Sequence, residues 1–355
     1  MNLSSDVYRK IRSLRDRAER RRRRPPELSV TAGGGGEPGW FYLCPDEASP
    51  SGGVAMIYRH VEALRAHGRR AFVVHHRPGF SPAWFAHDDV AISAGEARLT
   101  SDDILIAPEW YGDGLSQLPR GLRTVLFNQN PYLTFDNVAA SQRAGEPVAS
   151  MPGLVAQLTV SRGAQEFLSF AFDSVPTHRV RPVVDPEVFW PGPVLPRRRI
   201  VYVERHRRAR EREILLRLLA GRLPGWDIVA LSGTPAELGE GMRQAPIALS
   251  LGEFEGFGLP AAEAIACGAD VVGYSAFGGA ELFDAGRGHL VPEMDLAGFA
   301  REVVSLARRF ETEPHSVRDH GAVASDFVLA TYTTNGLAAD LARVVTVIEA
   351  APLPA

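Results

Sequence analysis

The chain has 355 residues, 45% of them hydrophobic and 23% charged, the balance of a soluble globular protein long enough for two domains that each bury a core. No apolar run approaches the roughly 18–20 residues of a membrane span. No apolar segment marks a secretory signal, and two cysteines, Cys44 and Cys267, are too few for a disulfide scaffold, so a reduced, cytoplasmic protein is expected. Residues 1–24 carry ten basic side chains against Asp6, Asp16 and Glu19, a charge of +7; the whole chain carries −3, so the rest carries −10 and the basic excess is confined to this tail.

In the tail, Val7, Ile11, Leu14 and Ala18 form a narrow helical stripe among arginines that ends in Arg20–Arg24 before Pro25-Pro26. Two readings stand open: a solvated helix or unstructured tail, and a surface helix over residues 6–24 that docks on anionic lipid, where each basic residue near the surface contributes about 1 kcal/mol. The acidic remainder and the lack of interleaved aromatics argue against nucleic acid as a partner. Thr31 to Gly39, with Gly33–Gly36, reads as a flexible linker, so residues 1–36 stand apart from a first domain over 37–190.

Phe41-Tyr42-Leu43-Cys44 reads as a buried strand, followed by Ser49-Pro50-Ser51-Gly52-Gly53. A helix follows with Val54, Ile57, Tyr58, Val61 and Leu64 on one face, and Gly68 is placed to cap it. Arg70 to His75 gives the next strand. This βαβ unit sets its glycine turn at a strand's carboxyl end, where parallel sheets bind ligands. Short apolar strands are expected at Asp103–Ala107 and Thr124–Phe127. They run into Pro108-Glu109-Trp110-Tyr111-Gly112 and Asn128-Gln129-Asn130-Pro131-Tyr132. Carboxylate, amides and aromatics at one sheet edge suit a polyol, so Glu109, Trp110, Asn128, Gln129 and Asn130 are candidate acceptor-side residues; ordinary loop chemistry is the plainer reading. Strands at Leu158–Ser161 and Arg179–Asp185 complete the domain, and Pro191–Arg199 is the expected linker.

A second domain over 200–334 opens with a strand from Ile200 to Val203 and the basic run Glu204-Arg205-His206-Arg207-Arg208-Ala209-Arg210. Asp227–Leu231 is the next strand. Leu249–Leu251 then ends a buried strand ahead of the most informative segment, residues 252–268, Gly-Glu-Phe-Glu-Gly-Phe-Gly-Leu-Pro-Ala-Ala-Glu-Ala-Ile-Ala-Cys-Gly. Glu255 and Glu263 stand eight positions apart. Between them lie a glycine turn and Pro260, which suits the first helical position because its missing N–H is not needed there. Outward N–H groups at such a helix start favour phosphate, and carboxylates accept from paired hydroxyls of a sugar or ribose. Hydroxyls at both ends with phosphate between them describe a nucleotide sugar. Residues 296–310 and 335–349 read as amphipathic helices, the second opening a closing segment over 335–355.

The segment resembles the Glu-x7-Glu motif of retaining glycosyltransferases of family 4, and the likeness continues through Val271-Val272-Gly273 to Gly278-Gly279-Ala280-Glu281. The resemblance implies an α/β fold of GT-B architecture: two Rossmann-like domains facing across a cleft, with a C-terminal helix crossing back to the first domain. By position it implies that Glu255 meets the transferred sugar and Glu263 the nucleotide ribose, with Gly256, Phe257, Gly258, Leu259, Gly278 and Gly279 at the donor and Gly52 and Gly53 approaching it across the cleft. In the family an arginine and a lysine five positions later hold the diphosphate; Arg205 and Arg210 match that spacing, and Lys10 is the chain's one lysine. The chain departs from the family at this pair, where Arg210 stands in the lysine's place and Glu211 where a glycine usually follows, and at two further points. Gln129 stands roughly where many members have a histidine, and one residue is missing before Glu281, which is therefore not carried over.

The activity implied is transfer of a sugar from a nucleoside diphosphate donor to an acceptor hydroxyl with retention of anomeric configuration, the leaving phosphate itself taking the acceptor's proton. Polysaccharide or natural-product glycosylation in a GC-rich bacterium fits the arginine- and alanine-rich composition. No cofactor beyond the nucleotide-sugar co-substrate is implied. Neither is a metal, because no Cys/His cluster has ligand spacing and no Asp-x-Asp motif occurs. Alternatives are a non-catalytic relative that binds nucleotide sugar or scaffolds a membrane assembly, and a nucleotide-sugar epimerase of the same architecture; a phosphorylase is disfavoured because neither domain has a lysine to hold a pyridoxal cofactor.

Overall fold

The structure, a computed structural model, describes residues 23–136, 148, 150–192, 197–204 and 208–353. The stripe at 7–18, most of the arginine run and Arg205 lie outside the described residues. Strand β1 (Val30–Thr31) pairs in parallel with β5 (Leu99–Thr100). The glycine-rich stretch after it is tethered rather than free: the N–H groups of Gly33, Gly35 and Gly39 donate to Ser101, Asp102 and Asp103 side chains at 2.8, 2.8 and 2.7 Å. Glycine leaves the backbone open to these acceptors, and that corrects the linker reading.

The first sheet contains β2 (Trp40–Leu43), β3 (Ala71–His75), β4 (Ala91–Ser93), β6 (Ile104–Pro108), β7 (Arg123–Asn128), β8 (Leu154–Thr159) and β9 (Thr177–Arg179). All pair in parallel, in the order β4-β3-β2-β6-β7-β8-β9. This is the doubly wound 3-2-1-4-5-6 arrangement extended by one strand. Both faces are buried: along β2, Trp40 and Tyr42 join one core cluster while Phe41 and Leu43 join another, as the two-residue side-chain period requires. Helix α1 (Gly52–Ala66) is capped at its start by Ser51 and followed by Gly68 at φ 77°, the left-handed conformation that ends helices. A short helix, α2 (Leu133–Asp136), and α3 (Arg162–Ala171) follow β7 and β8.

The expected strand at Arg179–Asp185 is the three-residue β9. Beyond it the N–H groups leave the ladder: that of Arg181 donates to Asp340 (3.0 Å) and that of Val184 to the Tyr332 carbonyl (2.9 Å), while Pro182 has none.

The second sheet has β10 (Arg199–Val203), β11 (Asp227–Leu231), β12 (Ile247–Ser250), β13 (Asp270–Gly273) and β14 (His289–Leu290), all parallel in the order β11-β10-β12-β13-β14. That is the other doubly wound order, 2-1-3-4-5. Its helices are α4 (Ala209–Arg222), α5 (Pro235–Arg243), α6 (Leu259–Ala266), α7 (Leu296–Thr312) and α8 (Pro314–Thr331). The last helix, α9 (Thr334–Ala350), packs on α1 of the first domain. There Glu349 accepts from the Trp40 indole (3.3 Å) and pairs with Arg69 (3.1 Å). Among the described residues no helix is long and apolar enough to cross a membrane.

Candidate active site

The carboxyl ends of both sheets open onto a cleft of about 1230 Å³ between the domains. One wall holds Glu255, Gly256, Phe257, Gly258, Leu259 and Glu263; the other holds Gly52, Gly53, Glu109, Trp110, Gln129 and Asn130. Twelve residues singled out from sequence therefore converge on one cavity. Trp84 and Phe85 also line it, as does Arg59, and these the sequence reading missed.

The loop after β12 is shaped by special backbone positions. Gly258 caps α6 at φ 87°, with Pro260 in the helix's first turn. Glu255 N–H donates to the Ala276 carbonyl (2.9 Å), and Glu255 O accepts from Gly278 N–H (3.0 Å). Six non-glycine described residues have left-handed φ, and three of them, Phe254, Ala276 and Phe277, border Glu255. Such conformations persist only where their surroundings enforce them, and they gather at functional sites.

The opposing loops approach at backbone level. A Cβ at Gly256 would overlap the Gln129 carbonyl, and one at Gly52 would come 2.7 Å from Leu259 Cδ1. Gln129 Nε2 donates to the Gly53 carbonyl (3.0 Å), and Asn130 Nδ2 crosses to the Phe254 carbonyl (2.7 Å). Glu109 is buried on the cleft wall. Its Oε1 accepts from Asn130 N–H at 2.8 Å while Oε2 has no hydrogen-bond partner. Burial pushes this carboxyl up to about 7, against the backbone N–H groups that hold it down.

Several expected site residues fall elsewhere. Strand β7 runs one residue farther than expected, so Asn128 is still inside the sheet, fully buried, with Nδ2 donating to Thr134 Oγ1 (2.7 Å). Gly279 lines a smaller pocket adjoining Glu255, and Gly278 is buried against the Gly256 carbonyl. Phe257 does line the cleft, but it is 4% exposed, with its ring packed against Tyr332, centroids 4.8 Å apart.

Arg210 is exposed on α4 and lines neither cavity. The arginines that turn inward are Arg208 and Arg212, four positions apart on one helical face, which leaves position 210 on the other. Arg208 donates to the Gly252 carbonyl (3.0 Å) and pairs with Glu211 and Glu293. Arg212 lines the smaller pocket with Glu253, Glu255 and Gly258, and pairs with Glu204. Glu281 lines neither of these two cavities. Its carboxylate accepts from Arg162 N–H (2.9 Å), Arg179 (2.6 Å) and the Tyr332 hydroxyl (2.9 Å), a bridge between the two domains.

No protein-family model matches the chain, and no curated protein matches it by sequence. Solved structures do resemble it in fold. A sucrose-phosphate synthase from Thermosynechococcus elongatus is 15% identical, with a TM-score of 0.65 over 87% of this chain and 98% of that one. A glycosyltransferase from Rickettsia africae is 12% identical, with a TM-score of 0.64 over 89% and 100%. The Anabaena protein HepE, solved with UDP, is 12% identical, with a TM-score of 0.62 over 87% and 99%. The chain therefore has the GT-B architecture, two doubly wound α/β domains facing across a cleft and closed by a helix that returns to the first.

Proposed function

We propose that the protein is a retaining glycosyltransferase of the family 4 type, moving a sugar from a nucleoside diphosphate donor to an acceptor hydroxyl. One observation carries the reading: Glu255 and Glu263 flank the glycine turn and amino end of α6 on the cleft wall opposite Gly52 and Gly53. Solved neighbours hold UDP, one of them together with glucose. Transfer requires charge on the departing diphosphate to be stabilised while positive character develops at the sugar. The N–H groups from Gly258 onward supply part of this, and Arg212 takes the cationic role that spacing assigned to Arg210. Glu255 orients the sugar and lends negative charge to the cation-like carbon, and Glu263 accepts from ribose hydroxyls. Trp110, Gln129 and Asn130 meet the acceptor.

Nucleoside diphosphate release and proton NMR of the product test the reading. Turnover with retained configuration is expected; donor binding without turnover favours the non-catalytic alternative, and an inverted linkage contradicts the family resemblance. Peripheral membrane contact through the basic tail is a separate proposal, and equal liposome co-sedimentation with and without residues 1–24 ends it.

A further inference from the structure

At the opposite, amino-terminal end of the second sheet, three side chains far apart in sequence converge. Asp270 begins β13, His289 begins β14, and His320 projects from α8. Asp270 Oδ1 lies 3.1 Å from His289 Nε2 and 3.0 Å from His320 Nδ1, and the three atoms all fall within 4.8 Å of one another. All three atoms are buried, and the two approaches, though short, are poorly aligned for hydrogen bonds. The ring nitrogens thus aim beside the carboxylate oxygen rather than at it.

The outer nitrogens are already committed. His289 Nδ1 lies 2.7 Å from the Glu302 carboxylate on α7, and His320 Nε2 contacts the Gly286 carbonyl. Both partners only accept, so each outer nitrogen carries the proton, and a neutral ring then turns its lone pair inward. With both rings neutral the three inward atoms present lone pairs to one another, which a bridging cation would reconcile; protonated rings would pair with Asp270 instead, so metal binding has to release those protons. A carboxylate or carbonyl behind a histidine is also the usual outer shell of a metal-bound imidazole, fixing its tautomer and orientation.

We infer that Asp270, His289 and His320 form a binding site for one divalent first-row transition ion, with Zn²⁺ chemistry the best fit. Two imidazoles and one carboxylate suit Zn²⁺ and its neighbours and not Mg²⁺ or Ca²⁺. A tetrahedral ion with bonds of about 2.0–2.1 Å holds its ligand atoms roughly 3.3–3.4 Å apart, close to the two contacts seen here. The side chains of His289 and His320 are 23% and 32% exposed, so the cluster lies just beneath the surface. The site stands at the far end of the strands from the cleft, so its ion ties α8 to the sheet edge and takes no part in sugar chemistry.

Cobalt(II) titration of the untagged, metal-stripped chain tests this, read by visible absorption and followed by Zn²⁺ displacement. One equivalent should bind with the visible bands of a tetrahedral ion, and Zn²⁺ should abolish them and raise the melting temperature. His320→Gln and His289→Gln should lose the bands. Glu302→Gln, a change at a half-exposed side chain that leaves the fold intact, should bind about 10–100-fold more weakly. Absence of stoichiometric binding in the unaltered chain, or equal binding in Glu302→Gln and the histidine variants, overturns the site. Should a histidine variant fail to fold, the Glu302→Gln titration decides alone.

Discussion

The two domains meet along two seams of opposite chemistry. At the cleft, Gly52 faces Leu259, Gly256 faces the Gln129 carbonyl, and Asn130 reaches the Phe254 carbonyl. At the other seam the contacts are ionic: Glu281 is gripped by Arg162, Arg179 and Tyr332, and Asp340 of α9 takes the N–H and the guanidinium of Arg181 (3.0 and 2.7 Å). A seam of glycines and backbone dipoles, with Tyr132 packed on Phe254 and Phe277 beside it, can part and re-form around a ligand without stranding a buried charge. A seam of buried carboxylates is costly to separate, because each ion would lose its partner. The charged seam sets how the domains are joined, and the neutral seam lines the cleft to which the proposed transfer is assigned.

The division can be broken from either side. Glu255→Gln should lower kcat by about 10²–10³, the scale of one preorganised charge, with the melting temperature held; stopped assays and calorimetry read both. Glu281→Ala should do the reverse. It leaves the guanidinium of Arg179 and the Tyr332 hydroxyl without their acceptor, and because Arg179 is partly solvated a loss of about 2–3 kcal/mol is expected rather than the full penalty of a buried pair, read by urea unfolding. Gly256→Ala drives a methyl into the Gln129 carbonyl and 3.2 Å from Val160, so closure should suffer by about 1–3 kcal/mol, seen as a higher KM for donor and acceptor. Glu263→Gln should weaken nucleotide affinity roughly tenfold, about 1.4 kcal/mol, with kcat little changed.

The gentlest probe is Glu109→Gln. The folded carboxyl sits near 7 against an ordinary 4.5, so its contribution is full below about pH 4.5 and is lost as pH rises through about 7. Unfolding measured from pH 4 to 8 should show a downward slope in the unaltered chain relative to the variant, and flat difference above about pH 7.5. A constant difference across the range would remove the buried-acid assignment.

Much of the neutral seam was legible because its residues are contiguous: residues 255–263 carry turn, proline and both acids in one stretch, and the glycines at 52 and 53 follow a buried strand. What escaped the reading depended on phase or on pairing. Arg210 and Arg212 look alike in sequence, and only the helical phase of α4 turns one outward and the other toward the pocket. Asn128 and Gln129 differ by a single residue at the end of β7, which decides between core and cleft. The arginine–carboxylate contacts of the charged seam join residues more than a hundred positions apart, and the Asp270 cluster needs β14 to lie beside β13, so no spacing rule announces either.

A thermal-shift screen against UDP-, GDP-, ADP- and dTDP-linked sugars tests the cleft assignment most directly, because ligand stabilisation follows affinity for the native state. One donor class should raise the melting temperature of the unaltered protein, and the rise should shrink in Glu263→Gln while persisting in Glu281→Ala. A protein that no sugar nucleotide stabilises, or one stabilised equally with and without Glu263, contradicts the account.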